Sequence, residues 1–346
     1  VSLPLERAEG GHTPVLDFQV SGARAAAGPP AAASRQAARI RLLLDTGATS
    51  TMVTPELADR LALERRPLPP GAFGLAGGGH GCADLNSQRT RLPDLELRSP
   101  AALPGTPGLS LVGVEALVLP VRALPAGVDG VLGVPSLRLM PIRIDPFLGR
   151  ITLGAAALDQ PPFLANPSSS APPAAPSFAP LHSQPTSKPS SPPSSATSPA
   201  TTPPPQLRLP LWWHRGVPLL HLSSRSGLVK ALADTGAEGL FLRPSLAERL
   251  QPLGGAQPLR LVGFCGEQRV ERRRFDGLGL GPGLGVPSSA PGSPLPGDAP
   301  AGVEGIVTEN PIFEQLGVEA ILGQELLHRH RQLWRLDRAS PELLLW

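Results

Sequence analysis

Asp45-Thr46-Gly47-Ala48 and Asp234-Thr235-Gly236-Ala237 are one tetrapeptide written twice in a single chain, each copy after a short apolar stretch. An aspartate that ends a strand and precedes a small hydroxyl residue and a glycine can turn inward on a tight loop. Two such loops can bring two carboxylates face to face. Two negative charges that close together cannot both ionise cheaply, so such a pair holds one proton between its members.

A lone Asp-Thr-Gly would carry little weight, because all three are common turn residues. The surroundings repeat as well. At an offset of 189 positions, Pro55, Leu57, Ala58, Arg60 and Leu61 face Pro244, Leu246, Ala247, Arg249 and Leu250. At the same offset Gly113-Val114-Glu115 matches Gly302-Val303-Glu304, and one inserted residue later Val131-Leu132-Gly133 faces Ile321-Leu322-Gly323. The period is far longer than the roughly 20–50 residues of a solenoid or propeller unit, so the chain reads as two homologous halves. Its 346 residues also exceed what one core usually supports.

Between the halves, residues 160–206 hold 15 prolines among Ser, Ala and Thr, with almost no large apolar side chain. Such a segment cannot bury enough surface to offset its ordering entropy and reads as a disordered, partly polyproline tether. The expected organisation is therefore a lobe at 1–159, a linker at 160–206 and a lobe at 207–346. Residues 22–38, rich in Ala, and 281–301, rich in Pro and Gly, read as surface insertions at hairpin tips.

The elements that must position the two aspartates are mostly strands. Short apolar or alternating runs bounded by Gly and Pro predict strands at Val15–Val20, Arg39–Leu44, Ala116–Leu119 and Arg150–Leu153. Their second-half counterparts are Leu219–Leu222, Leu228–Ala233, Gly305–Val307 and Leu343–Leu345. Thr54 before Pro55 signals a helix start, repeated at Pro244, and Gln324–His330 predicts one more short helix.

Asp-Thr-Gly-Ala after an apolar strand, a Gly-rich hairpin some thirty residues on and a closing hydrophobic-hydrophobic-Gly element together resemble the retropepsin pattern of the aspartic proteases. The chain resembles two such units fused in tandem, in the bilobal arrangement of pepsins. The resemblance implies a mainly β, bilobal acid-protease fold: two homologous closed β-barrel-like lobes with short helices and a cleft between them. It implies an aspartic endopeptidase in which the ionised member of Asp45 and Asp234 deprotonates a water while the protonated member polarises the peptide carbonyl. That chemistry calls for no metal and no cofactor.

Further roles follow from the same resemblance. Thr46 and Thr235 would cross-bond beneath the aspartates, and Gly47 and Gly236 would let backbone amides approach the carboxylates. Ala48, Thr49, Ala237 and Glu238 would flank the substrate. Gly77 and Gly78 in the first half, and Gly263 and Phe264 in the second, fall where a substrate-covering flap is expected; a plain Gly-rich surface loop is the other reading. Pepsins carry a flap tyrosine, and this chain has no tyrosine. Glu238 either binds substrate, pairs with an arginine, or is a solvated structural residue. Cys82 and Cys265, both near the flaps, are either a disulfide across the mouth or two free thiols.

Other chemistries find little. His328 and His330 would point to different faces of a short helix and read as surface residues, and no metal-binding, P-loop or serine-nucleophile motif occurs. The formal charge is +3, with 29 of 31 basic residues Arg; Arg272-Arg273-Arg274 reads as a solvated strand edge, and no motif points to nucleic acid. No stretch approaches the roughly 20 apolar residues of a membrane span. The chain starts at Val1, so an upstream segment, whether a signal peptide or a mere boundary, is expected; the Pro/Ser/Thr tether favours an exported over a cytoplasmic protein. The expectation is an endopeptidase acting on extended polypeptides, as a monomer whose lobes pair within one chain. Two rivals stand beside it: a catalytically silent acid-protease-fold peptide-binding or scaffolding protein, and pairing of lobes between chains.

Overall fold

The apolar run before each Asp-Thr-Gly-Ala alternates with period two, and each becomes one strand of an antiparallel pair. In Pro14–Val20 the side chains of Leu16, Phe18 and Val20 are buried, and in Ala38–Leu44 those of Ile40, Leu42 and Leu44. Register places Leu16 opposite Leu42 and Phe18 opposite Ile40, so the two buried rows stack on one face. The second half repeats this with Val217–Ser224 against Gly227–Ala233, Leu220 opposite Ala231 and Leu222 opposite Val229.

The computed structural model describes residues 1–20, 38–69, 87–100, 108–121, 124–159, 205–263, 266–281 and 302–346. Nearly all of the expected linker at 160–206 and of the insertions at 22–38 and 281–301 lies outside these residues. Residues 1–158 and 205–346 form one compact unit.

The fold is mainly β, with curled sheets consistent with a bilobal acid-protease-like architecture. Among the described residues each half contributes a sheet of ten strands. The expectation of closed barrels is corrected: among the described residues, the first sheet runs from Arg66–Pro67 to Leu109–Leu111, and these two end strands do not pair with each other. The second runs from Trp212–His214 to Gln251–Pro252 and is likewise open. Two of these edge strands are two residues long and hold a proline, Pro67 and Pro252, which has no N–H to offer a further strand.

A third sheet joins the halves. Its order is Ser2–Pro4, Arg150–Leu153, Ile142–Asp145, Gln332–Arg335, Glu342–Leu345 and Leu207–Pro210, three strands from each half. The seam pairs Ile142 with Trp334 and Ile144 with Gln332. Trp334 is fully buried and donates its indole N–H to Gln332 Oε1 at 2.9 Å, so its one polar atom is satisfied. The main apolar core runs without a break from Phe18 and Ile40 through Ile144 and Trp334 to Leu220 and Phe275.

The helices are short. Thr54 caps Pro55–Arg60 by accepting from Leu57 N at 3.2 Å, whereas Pro244–Arg249 has Arg243 at the cap position and no side-chain cap. The helix expected over Gln324–His330 stops at Leu327, and Pro311–Leu316, capped by Asn310 and ended by Gly317 at φ 58°, adds a turn that the strand pattern had hidden.

Because Trp334 fills the seam between the halves, Trp334→Ala should cost about 3–5 kcal/mol. Urea unfolding followed by far-UV circular dichroism checks this, with the loss expected in one transition shared by both halves.

Candidate functional site

Each Asp-Thr-Gly-Ala loop is held at the end of a central strand. Ala38–Leu44 lies between Pro14–Val20 and the parallel strand Gly130–Leu132, and Asp45 N donates to Leu132 O at 3.1 Å. Gly227–Ala233 is flanked in the same way by Ala320–Leu322, and Asp234 N donates to Leu322 O at 3.0 Å. The triplets after these strands lie under the loops. Val134 N bonds Ala48 O at 2.9 Å, and Gln324 N bonds Ala237 O at 2.8 Å. A side chain on Gly133 or Gly323 would overlap the loop backbone at Ser50 or Ala237, so only glycine allows this approach.

The two loops meet through their threonines. Thr46 N donates to Thr235 Oγ1 and Thr235 N to Thr46 Oγ1, both at 3.0 Å; Thr46 Oγ1 donates to Ala233 O and Thr235 Oγ1 to Leu44 O, both at 2.7 Å. Both threonines are fully buried, and each hydroxyl is both donor and acceptor. The carbonyls that they bind belong to the residues just before the opposite aspartates, which fixes where those aspartates point.

Above the threonines the carboxylates face each other. Asp45 Oδ1 accepts from Gly47 N at 2.8 Å and Ala48 N at 3.0 Å, and Asp234 Oδ1 from Gly236 N at 2.8 Å and Ala237 N at 3.2 Å. A Cβ on Gly47 would overlap the Asp234 carboxylate, and one on Gly236 the Asp45 carboxylate. Burial first, then the charge of Asp234 and a hydrogen bond to it, raise Asp45 well above the usual carboxylate range. Burial also raises Asp234, against the bond from Asp45 and the amides of Gly236, Ala237 and Gly47. Burial and mutual repulsion thus favour a form of the pair in which one proton is shared between its members.

The pair forms the floor of a cleft of about 570 Å³. Leu43, Met52 and Leu117 line one side, Phe241, Ile312 and Ile321 the other. Leu261, Val262 and Gly263, at the end of strand Gln257–Gly263, face into it; Phe264, Cys82 and Cys265, and the first-half glycines Gly77 and Gly78, lie outside the described residues. Gln257–Gly263 pairs with Gly266–Asp276 along one edge, and no other described strand pairs with it. In that partner strand Arg272 and Arg273 form ion pairs with Glu304 and Glu271.

Thr49 and Glu238, four residues after each aspartate, both line the cleft and have different neighbours. Among the described residues the Glu238 carboxylate meets no arginine. It accepts from His12 N and Thr13 N, at 2.7–2.9 Å, and from the Thr13 hydroxyl, so it holds the N-terminal turn Ala8–Thr13 against the second loop. Several residues in or beside the cleft gave no signal in the sequence. His12 stacks on His328 with ring centroids 3.9 Å apart, which corrects the reading of His328 as a plain surface residue. Arg215 and Gly216, with φ 48° and 85°, make the two-residue turn between Trp212–His214 and Val217–Ser224, and Arg215 lines the cleft. Both φ values are positive, as in a type I′ turn; Asn-Gly would suit it, and the left-handed region costs a residue such as Arg about 1–2 kcal/mol. A two-residue gap ending in glycine between apolar runs was the available clue. Among the described residues no cluster of His, Cys, Asp and Glu could hold a metal, and no helix is long and apolar enough to cross a membrane.

Residues 32–136 match the aspartyl protease family, a stretch that holds Asp45 and ends before Asp234. Basic 7S globulin from soybean is similar in structure at 11% identity and a TM-score of 0.42, over 99% of this chain and 94% of that one. Conglutin gamma, a basic 7S globulin from lupine seeds, is similar at 10% identity and a TM-score of 0.45, with the same coverage of both chains. No curated protein sequence matches the chain. The chain thus carries a distant match to an aspartyl protease domain and a likeness to bilobal globulins.

These findings correct the expectation of an aspartic endopeptidase. The two solved structures named above are globulins, neither described as a peptidase, and their likeness concerns the fold and brings no peptidase activity with it. The comparisons thus bring neither peptide-bond hydrolysis nor a description as protease or hydrolase to this chain.

Two measurements probe the site. Thr46→Val leaves the buried Thr235 N–H without its acceptor and the Ala233 carbonyl without its donor, and should cost about 2–4 kcal/mol, with Thr46→Ser recovering most of it; urea midpoints read both. The raised carboxyl range means that the native pair binds a proton that the unfolded chain gives up at lower pH. Stability should therefore be greatest in acid and fall as pH rises through the pair's range. Asp45→Asn removes one charge of the pair and its repulsion, so it should make that fall shallower and raise the melting temperature at the alkaline end relative to the unaltered chain.

Proposed function

We propose that the chain is an acid-protease-fold protein that binds an extended polypeptide segment in the cleft above Asp45 and Asp234 and holds it without cutting it. The observation that carries this reading is the strand Gln257–Gly263, which has one edge that no other described strand pairs with and whose end at Leu261–Gly263 lines an apolar cleft with the two carboxyl groups at its floor. An extended peptide can add to such an edge as a further strand, its backbone supplying the hydrogen bonds and its alternate side chains entering the apolar walls. At the floor, a protonated carboxyl donates and an ionised one accepts, so the pair can grip one carbonyl or hydroxyl group of the ligand. Thr46, Gly47, Thr235 and Gly236 support the two loops, and Ala48, Thr49, Ala237, Glu238 and Gly263 border the ligand.

The repeat at an offset of 189 residues supports a finer reading, in which 1–159 and 207–346 are two retropepsin-type units fused in tandem and paired within one chain. A binding protein of this kind needs both halves, since each supplies one wall.

Fluorescence anisotropy with a labelled, unstructured peptide of apolar centre tests the reading, with mass spectrometry of the same samples across pH 3 to 8. Saturable binding with the peptide intact is the expected result, and Ile312→Asp in the cleft wall should weaken it at least about tenfold, the equivalent of 1.4 kcal/mol. No saturable binding at any pH, or a shortened peptide, would sink the reading.

A further inference from the structure

The two ends of the cleft are built alike and charged differently. Thr49 and Glu238 stand at matching positions, one on each side of the carboxyl pair, and each is met by a turn from the other half. Against Thr49 lies the Arg215-Gly216 turn; a Cβ added to Gly216 would sit 3.7 Å from the Thr49 methyl group. Against Glu238 lies the Ala8–Thr13 turn, whose backbone at His12 and Thr13 binds the carboxylate. In that turn a side chain on Gly11 would overlap Glu238, whereas the opposite turn carries the long side chain of Arg215.

The charges follow from this. Arg215 is exposed, lines the cleft and has no carboxylate partner among the described residues. At the other end Glu9 and Glu238 both line the cleft, and His12 beside Glu238 is stacked on His328 and held toward its neutral form chiefly by burial. Arg7 and Glu325 also act on His12, with opposite signs. One end is therefore cationic and the other anionic, with apolar walls and the carboxyl pair between them.

We propose that the cleft selects its peptide by this polarity: an acidic side chain toward Arg215, apolar side chains over Asp45 and Asp234, and a basic side chain or amine toward Glu9 and Glu238. The inference rests on the peptide-binding reading above. Such rim charges set orientation and partner choice more than overall affinity, and salt weakens them.

Three peptides with one apolar centre test it against the full chain: Lys at the start and Glu at the end, the reverse order, and Gln at both positions. One charged order should bind about threefold to tenfold tighter than the Gln peptide and the other order more weakly, and the spread should collapse in 1 M salt, where the Debye length is about 3 Å. Arg215→Glu should turn the preference for the acidic residue into a penalty. Arg215→Asn, which suits the turn, should remove the preference, so that within this variant the better charged peptide binds no more than about twofold tighter than the Gln peptide. Equal binding of the three peptides, or a preference unchanged in both variants, overturns the polarity. Failure of all three to bind overturns instead the peptide-binding reading on which it rests.

Discussion

Four buried hydrogen bonds between Thr46 and Thr235 and the strands that precede them hold the two halves of the cleft in register. Each bond crosses between the halves, so neither loop is satisfied on its own: without its counterpart each would bury a hydroxyl, an N–H and a carbonyl at a cost of about 1–3 kcal/mol per unpaired group. A residue here must therefore be small, able to donate and accept at once, and able to sit in full burial, which leaves serine or threonine. Glycine at the next position follows from the same closeness, because each Gly stands where the opposite carboxylate already is.

That constraint reaches outward through the sheets. Gly130–Leu132 and Ala320–Leu322 are inserted in parallel beside the two central strands, and their following glycines carry the chain beneath the loops. The seam at Ile142 and Trp334 closes the far side with a sheet shared by both halves. The halves are thus clamped at two levels, one polar and narrow at the threonines, one apolar and wide at the shared sheet. Within this frame the near-symmetry is broken only at particular side chains. Gln324, buried, donates to Thr235 O at 3.0 Å, where the first half has Val134. Glu238 anchors the N-terminal turn, where the first half has Thr49.

Much of this could be read from the chain because it is local. Strand Arg150–Leu153 falls where alternation places it, Thr54 caps the helix that it precedes, and the repeated Asp-Thr-Gly-Ala marks both loops. What escaped notice is set by pairings distant in sequence. Ile142 and Trp334 are brought together only by the finished fold, and nothing within either strand names the other. The closed lobes expected from resemblance gave way to open sheets, since Pro67 and Pro252 at strand ends offer no N–H for closure. The contact between His12 and His328 and the cleft position of Arg215 depend on two turns meeting loops of the opposite half. Helix Pro311–Leu316 has readable signals, Asn310 before Pro311 and Gly317 after, but its six residues are too few to show a helical period between neighbouring strands.

The carboxyl pair itself is a standing cost. Burial opposes its charge, and the four loop amides at Gly47, Ala48, Gly236 and Ala237 offset only part of that, each set serving one oxygen. The oxygens that face the cleft are left to each other, to a shared proton and to whatever enters from above. A ligand with a carbonyl or hydroxyl at that point completes their hydrogen bonding and excludes water, so it binds the one-proton form in preference to the doubly ionised one. By linkage, binding must then draw the pair's titration further upward, and rising pH must weaken binding through the same range in which it weakens the fold. Stability and ligand affinity are tied to one proton, a coupling that follows from two aspartates being held this close by two threonines.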